Sequence, residues 1–329
     1  MGVNGALLAV DAGNSKTDVA VLARDGRVLG EARGGGFQPP VVGVETAVDR
    51  LAEIVGRAWE AAGGGGLPPR FAYVVACLAN ADLAVEEERL KAALEARAWS
   101  RSVQVRNDTF ALLRAGIDEP RGVAVVCGAG INCVGMTPDG RTARFPAIGK
   151  ISGDWGGGGG LAEEALWWAA RAEDGRGEPT ALARTLPGHF GLPTMYALIE
   201  ALHLGRIPAV RRHELAPVLF RTAAEGDPVA RALVDRQAEE VVAMASVALG
   251  RLGLLDEAAP VVLGGSVLAA RHPLLDGKIA ELLAVKAPKA QVRVVTAPPV
   301  LGAGLLALDA WGEPGPEAAA RLREHYEAA

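Results

Sequence analysis

The chain has 329 residues, half of them hydrophobic and 22% charged, enough apolar material for two domains of ordinary size and too much for intrinsic disorder. A formal charge of −5 speaks against a nucleic-acid-binding surface, and three scattered cysteines exclude a disulfide scaffold or a CxxC metal site. No apolar run is long enough for a bilayer span, and Met1-Gly2-Val3-Asn4 opens without the pattern of a secretory signal, so a cytoplasmic protein with neither membrane nor nucleic-acid partner is expected.

Glycine carries the compositional information, with 42 residues at nearly twice the usual ~7%. In chain order, the apolar run Ala6–Val10 meets Asp11-Ala12-Gly13-Asn14-Ser15-Lys16-Thr17, resumes as Asp18–Ala23, and turns at Asp25-Gly26-Arg27. This reads as a meander of antiparallel strands. Glu45–Ala62 places Val48, Leu51, Ile54, Val55 and Ala58 at helical spacing. Gly63–Gly66 with Pro68-Pro69 is a loop, followed by a strand at Phe71–Leu78 and a helix at Val85–Arg97. A short strand at Val103–Arg106 ends at Asn107-Asp108, before a helix at Thr109–Ala115 closed by Gly116.

The opening pattern then returns about 115 residues on. Val123–Val126 meets Cys127-Gly128-Ala129-Gly130-Ile131-Asn132, resumes as Cys133–Met136, and turns at Asp139-Gly140-Arg141 into a third strand. Helices are expected over Leu161–Arg171, Thr194–His203, His213–Glu225, Pro228–Leu252, Val300–Trp311 and Pro316–Glu327, and strands over Pro260–Leu263 and Gln291–Val295. The repeat predicts two related α/β domains, each a mixed sheet flanked by helices, over residues 1–118 and 119–329. The last helix is expected to pack back on the first domain. Five histidines fit no metal-ligand spacing, and Trp167-Trp168 reads as core or interface.

Two glycine turns, one per domain, suit a nucleotide triphosphate. Without Cβ atoms the backbone N–H groups can approach phosphate oxygens, and successive N–H groups make an anion-binding nest. Gly13, Asn14, Ser15, Lys16 and Thr17 offer such a turn in the first domain, and Gly128, Ala129 and Gly130 in the second. Neither turn has Walker or Rossmann spacing. Asp11, at the first strand's end, is suited to hold Mg²⁺ through water. Gly264-Gly265-Ser266, ending an apolar strand and opening a helix, offers a surface for an adenine base. Asp108 lies at a strand end; the same position also suits an N-cap of Thr109–Ala115.

The order Asp11–Thr17, Asn107-Asp108, Gly128–Cys133, Gly153-Asp154 and Gly264-Gly265-Ser266 resembles the N-acetylglucosamine kinases and the wider BadF/BadG/BcrA/BcrD ATPase group, over about Leu7 to Leu308. The resemblance implies two ribonuclease-H-like domains of the actin-like ATPase superfamily, with ATP and Mg²⁺ in an interdomain cleft, and a homodimer. It makes Asp108 the base that orients the attacking hydroxyl. It makes Asp154 an acceptor of sugar hydroxyls, with Gln38, Asn80, Asp82, Asn132, Ile148 and Gly149 around the sugar. Ala129, Ile131, Ile148, Trp155 and Gly157 depart from the family pattern and bear on which sugar is taken.

The activity this implies is ATP-dependent phosphorylation of a sugar hydroxyl, of N-acetylglucosamine or a related amino sugar or hexose. The alternative within the same group is an ATPase that activates a reductase or dehydratase through an iron–sulfur cluster. That alternative needs accessible cysteines, whereas Cys77 and Cys127 fall in apolar strands.

Overall fold

The computed structural model describes residues 5–66, 70–312 and 315–327, so Pro68-Pro69 and the first four residues lie outside the described residues. The opening meander is β1 (Leu7–Ala12), β2 (Lys16–Leu22) and β3 (Val28–Gly35). Every residue of β1 is buried, as a strand covered on both faces requires. β2 pairs antiparallel with β1 and β3 with β2. After a single turn, α1 (Pro39–Val42), α2 (Val44–Ala61) buries the stripe Val48, Leu51, Val55 and Ala58 that its spacing sets out. β4 (Tyr73–Leu78) runs parallel to β1, and α3 (Ala84–Glu95) crosses to β5 (Val103–Asn107), parallel to β4. α4 (Thr109–Ala115) follows, and the sheet order is β3-β2-β1-β4-β5.

The second sheet contains β6 (Gly122–Cys127), β7 (Ile131–Met136), β8 (Thr142–Arg144), β9 (Pro260–Gly264) and β10 (Gln291–Val294). Its order is β8-β7-β6-β9-β10, with β7–β8 antiparallel and β9–β10 parallel. Strand for strand this is the order of the first sheet, so the repeated glycine turns mark a repeated topology. Between β8 and β9 lie α5 (Gly157–Glu173), α6 (Leu182–His189), α7 (Met195–His203), α8 (Leu215–Ala224) and α9 (Pro228–Leu252). Asp227 caps α9 by accepting from the Ala230 N–H, Pro228 occupies its first turn, and Gly253 ends it in the left-handed region. α10 (Ser266–Ala269) and α11 (Pro273–Lys286) separate β9 from β10; α12 (Pro299–Trp311) and α13 (Pro316–Glu327) end the chain.

Residues 1–124, 134–146 and 295–329 form one compact unit, and residues 125–133 with 147–294 form the other. The boundary expected at residue 118 falls between α4 and β6, beyond which the two units interleave along the chain. α12 packs on β1, β4 and α4, and α13 packs on α12, all within the first unit. That unit's core is built from Leu8, Val10, Val19, Val21, Leu51 and Val74, among others. Among the described residues, no helix is long and apolar enough to cross a membrane.

Candidate functional site

In the first unit the glycine turn between β1 and β2 is braced by residues expected to touch sugar. The Gly13 N–H donates to the Lys16 carbonyl and the Phe37 N–H to the Gly13 carbonyl, both at 2.9 Å. Gln38 Nε2 donates to the Asn14 carbonyl at 2.9 Å; Asn80 Nδ2 donates to Asn14 Oδ1 at 3.0 Å and to the Phe37 carbonyl at 3.2 Å. Asn80 holds φ at 62°, an uncommon conformation for a residue with a side chain, and its amide ties the loop after β4 to the turn. Asn14, Ser15 and Lys16 are exposed, but Thr17 is buried. The Lys16 ammonium lies 2.9 Å from Asp18, which Arg33 also reaches at 2.5 Å.

Two carboxyls of this unit titrate abnormally. Burial holds Asp11, at the end of β1, well above the usual carboxylate range; the charges of Asp108 and Asp18 add to this, and Lys16 opposes it. Burial likewise pushes Asp108 up to about 6, against hydrogen bonds from Thr109. Asp108 makes no side-chain capping bond to α4. The preceding Asn107 does that work, its Oδ1 accepting from the Thr109 N–H at 2.9 Å while its Nδ2 donates to Asp82 Oδ1 at 2.8 Å. Asp82 therefore positions Asn107. Glu86 accepts from the Asp82 and Leu83 N–H groups at 3.1 and 2.9 Å. Arg144 donates to the Ala81 and Asp82 carbonyls at 2.9 and 2.8 Å and lies 2.8 Å from Glu87. Glu86 and Arg144 carry no motif, and only the fold brings them here.

In the second unit three glycine segments meet. The turn Gly128-Ala129-Gly130 joins β6 to β7, with the Gly128 N–H donating to the Gly130 carbonyl at 3.0 Å. The N-terminus of α5 lies against it: the Gly158 N–H donates to the Gly128 carbonyl at 2.7 Å, and the Gly159 N–H to the Ala129 carbonyl at 2.9 Å. A Cβ on Gly157, whose φ is +73°, would lie 2.4 Å from the Gly130 carbonyl carbon; one on Gly265 would lie 2.5 Å from that of Cys127. A Cβ on Gly128 or Gly130 would meet nothing within 4 Å. Packing thus requires Gly157 and Gly265 but leaves the turn's own glycines open. Gly264 is buried in β9, and Ser266 is exposed at the start of α10.

Asp154 is fastened through one oxygen, Oδ2, which accepts from the Gly149 N–H at 2.9 Å and the Ser152 hydroxyl at 2.6 Å. Its other oxygen has no partner among the described residues. A cavity of about 250 Å³ brings Ala129, Gly130, Gly149 and Asp154 together with Lys150 and Trp155, but not Asn132 or Ile148. Asn132 Oδ1 accepts from the Cys133 N–H at 2.7 Å, and Ile148 is exposed. Glu240 on α9 is raised by burial, and Asp154 is among the charges that add to it. Trp167, expected in core and interface, is 50% exposed and so is not a core residue. All three cysteines are buried, and burial pushes the Cys127 thiol up to about 12.

Two five-stranded sheets of the same strand order make this a duplicated α/β fold. The chain belongs to the BadF/BadG/BcrA/BcrD ATPase family, whose model matches residues 8–307. It is 24% identical over 303 residues to an N-acetylmuramic acid/N-acetylglucosamine kinase from Clostridium acetobutylicum, covering 92% of this chain and 97% of that protein. To an N-acetyl-D-glucosamine kinase from Dictyostelium discoideum it is 26% identical, over 62% of this chain and 65% of that one. Among solved structures, a protein from Chromobacterium violaceum provisionally named an N-acetylglucosamine kinase superposes with a TM-score of 0.69 at 23% identity, over 93% of this chain and all of that one. A ROK family glucokinase from Streptomyces griseus, with glucose and AMPPNP bound, gives 0.56 at 19%, over 92% and 98%.

Proposed function

We propose that this chain is an ATP-dependent sugar kinase that phosphorylates a hydroxyl of N-acetylglucosamine or a related amino sugar or hexose. The observation that carries the reading is Asp108: Asn107 relieves it of capping α4, and burial pushes its carboxyl up to about 6. A group with that affinity for protons is ionised near neutral pH and ready to accept one. In the proposed reaction the sugar oxygen bonds to the γ-phosphorus as the bond from that phosphorus to the β–γ bridging oxygen breaks. ADP leaves, and the hydroxyl proton passes to Asp108 late, because a loose transition state asks for little prior deprotonation. Asp154, with one oxygen unpartnered, accepts from hydroxyls of the bound sugar.

The turns at Gly13–Thr17 and Gly128–Gly130 supply to the phosphates the N–H groups not bonded within the turns themselves, and Gly264, Gly265 and Ser266 bound the adenine. Asp11 suits Mg²⁺ held through water, since its buried carboxyl lies among like charges and a cation would relieve them. The metal that accompanies ATP would supply positive charge to the phosphates. The reductase- or dehydratase-activating alternative is disfavoured by the burial of Cys77, Cys127 and Cys133. A cytoplasmic homodimer belongs to the same proposal and is read by sedimentation.

The test is ADP release from Mg·ATP across a panel of amino sugars and hexoses, with wild type and Asp108→Asn. Sugar-dependent turnover that falls roughly 10²–10⁴-fold in the variant is the expected result. Turnover indifferent to every sugar would refute the kinase.

A further inference from the structure

The cavity at Asp154 has a continuation. Lys150, Glu163 and Glu164 line it and also line a groove of about 890 Å³ in the same unit. One wall is α5, where Trp167 and Trp168 follow Glu163 and Glu164 by one helical turn. The other wall is the start of α9, including Leu233 and Arg236. Trp167 leaves half its surface in water, sits edge-on to Trp168 at 4.9 Å, and has the Arg171 guanidinium 4.6 Å from its ring centre. At the inner end, Trp155 is 8% exposed with Arg236 over its ring at 4.3 Å. The buried Trp155 indole N–H has no acceptor among the described residues. A buried donor left unpaired is costly.

We propose that this groove is a second pyranose subsite, so that the acceptor is a glycoside: its reacting ring lies at Asp154 and its next ring stacks on Trp167. The proposal deepens the sugar-kinase reading and rests on it. A pyranose offers C–H faces to an aromatic ring and hydroxyls around its edge. This groove matches that pattern, with tryptophans between carboxylates (Glu163, Glu164, Glu178) that accept from hydroxyls and cations (Lys150, Arg236) that donate. Three carboxylates against two cations favour a neutral ligand over an anionic one. An acyl chain would satisfy none of these charged groups, of which only Lys150 and Glu164 lie near enough to pair with each other, at 3.6 Å. Continuity through Lys150, Glu163 and Glu164 lets one ligand fill both spaces.

The experiment compares N-acetylglucosamine with N,N′-diacetylchitobiose as acceptors, in wild type, Trp167→Ala and Trp167→Phe, by ADP release and by calorimetry. The disaccharide should have the lower KM. Trp167→Ala should raise the ratio of disaccharide to monosaccharide KM tenfold or more, and Trp167→Phe should restore most of it. Phosphorylation of the monosaccharide with the disaccharide refused, or a ratio unmoved by Trp167→Ala, overturns the subsite and leaves the kinase standing. If neither sugar is phosphorylated, calorimetry decides. Chitobiose binding that Trp167→Ala abolishes supports the subsite; binding that is absent, or indifferent to the substitution, overturns it. A change from dimer to monomer in Trp167→Ala with an unmoved ratio would make the groove a contact between copies, which also overturns the proposal.

Discussion

Asp108 and Asp11 show what burial does to a carboxylate when it outweighs the groups that favour its charge. The folded-state value for Asp108, about 6, lies above its ordinary 3.8. Sign follows from linkage: the folded protein binds this proton more tightly than the unfolded chain does. The group therefore favours folding fully below about pH 4, and that contribution is lost as pH rises through about 6. Asp11 acts in the same direction. Asp108→Asn should accordingly raise Tm at pH 8 while abolishing most turnover, and the gain should shrink toward zero at pH 4. Scanning calorimetry at the two pH values checks this; a lower Tm at pH 8 would mean that the carboxylate is paired in the folded protein. In wild type, kcat should fall as pH drops below about 6, with that limb absent from whatever activity the variant retains. The strand-end position of Asp108 was legible in the sequence. Its release from capping was not, because Asn107 and Asp108 are both good caps and only the fold shows that Asn107 Oδ1 accepts from the Thr109 N–H while Asp108 makes no side-chain capping bond.

The helices show where periodicity carries information and where it fails. α2 is amphipathic in sequence and in fact. α11 was not expected, because it buries only Leu275, Ile279 and Leu283 while leaving Leu274 and Val285 exposed, so its apolar stripe is blurred. α6 was hidden by Pro187 in its interior, and α1 is a single turn. α5 begins at Gly157, four residues before the expected Leu161. Glycine is a poor helix former, but here it lets the helix start touch the second turn, and that contact outweighs propensity. The glycines thus separate by role. Gly157→Ala should cost at least about 1–3 kcal/mol, because it forces a left-handed conformation and a clash with Gly130. Gly130→Ala should leave Tm within error and raise the KM for ATP, since its Cβ enters open space that the proposed phosphates would occupy. Denaturant titration and ATP kinetics on the two variants separate these outcomes. Unchanged ATP kinetics in Gly130→Ala would remove that turn from the nucleotide site.

At the scale of the whole molecule, the duplication was visible because two glycine turns and two Asp-Gly turns recur in order. The interleaving of the units was not visible, because it depends on contacts between residues far apart in sequence. The end of the chain illustrates this. Gly302 in α12 lies so close to α4 that a Cβ would sit 1.7 Å from the Ala111 carbonyl oxygen. Two turns further, Asp309 meets Arg114 of α4, at 2.7 Å to Nε and 3.1 Å to Nη2. Arg114 is 3% exposed and also donates to the Ile117 and Asp118 carbonyls. The bidentate pair fixes the register of α12 on α4, across 195 residues of sequence. Asp309→Ala should leave a buried guanidinium without its carboxylate and cost about 3–5 kcal/mol. Replacing both partners, Arg114→Met with Asp309→Leu, should recover most of that loss, because the expense lies in the orphaned charge rather than in the missing attraction. Urea denaturation of wild type, the single variant and the double variant measures both steps. If the double variant is no more stable than Asp309→Ala, the Arg114 bonds to the Ile117 and Asp118 carbonyls hold the turn after α4, and the ion pair is secondary to them.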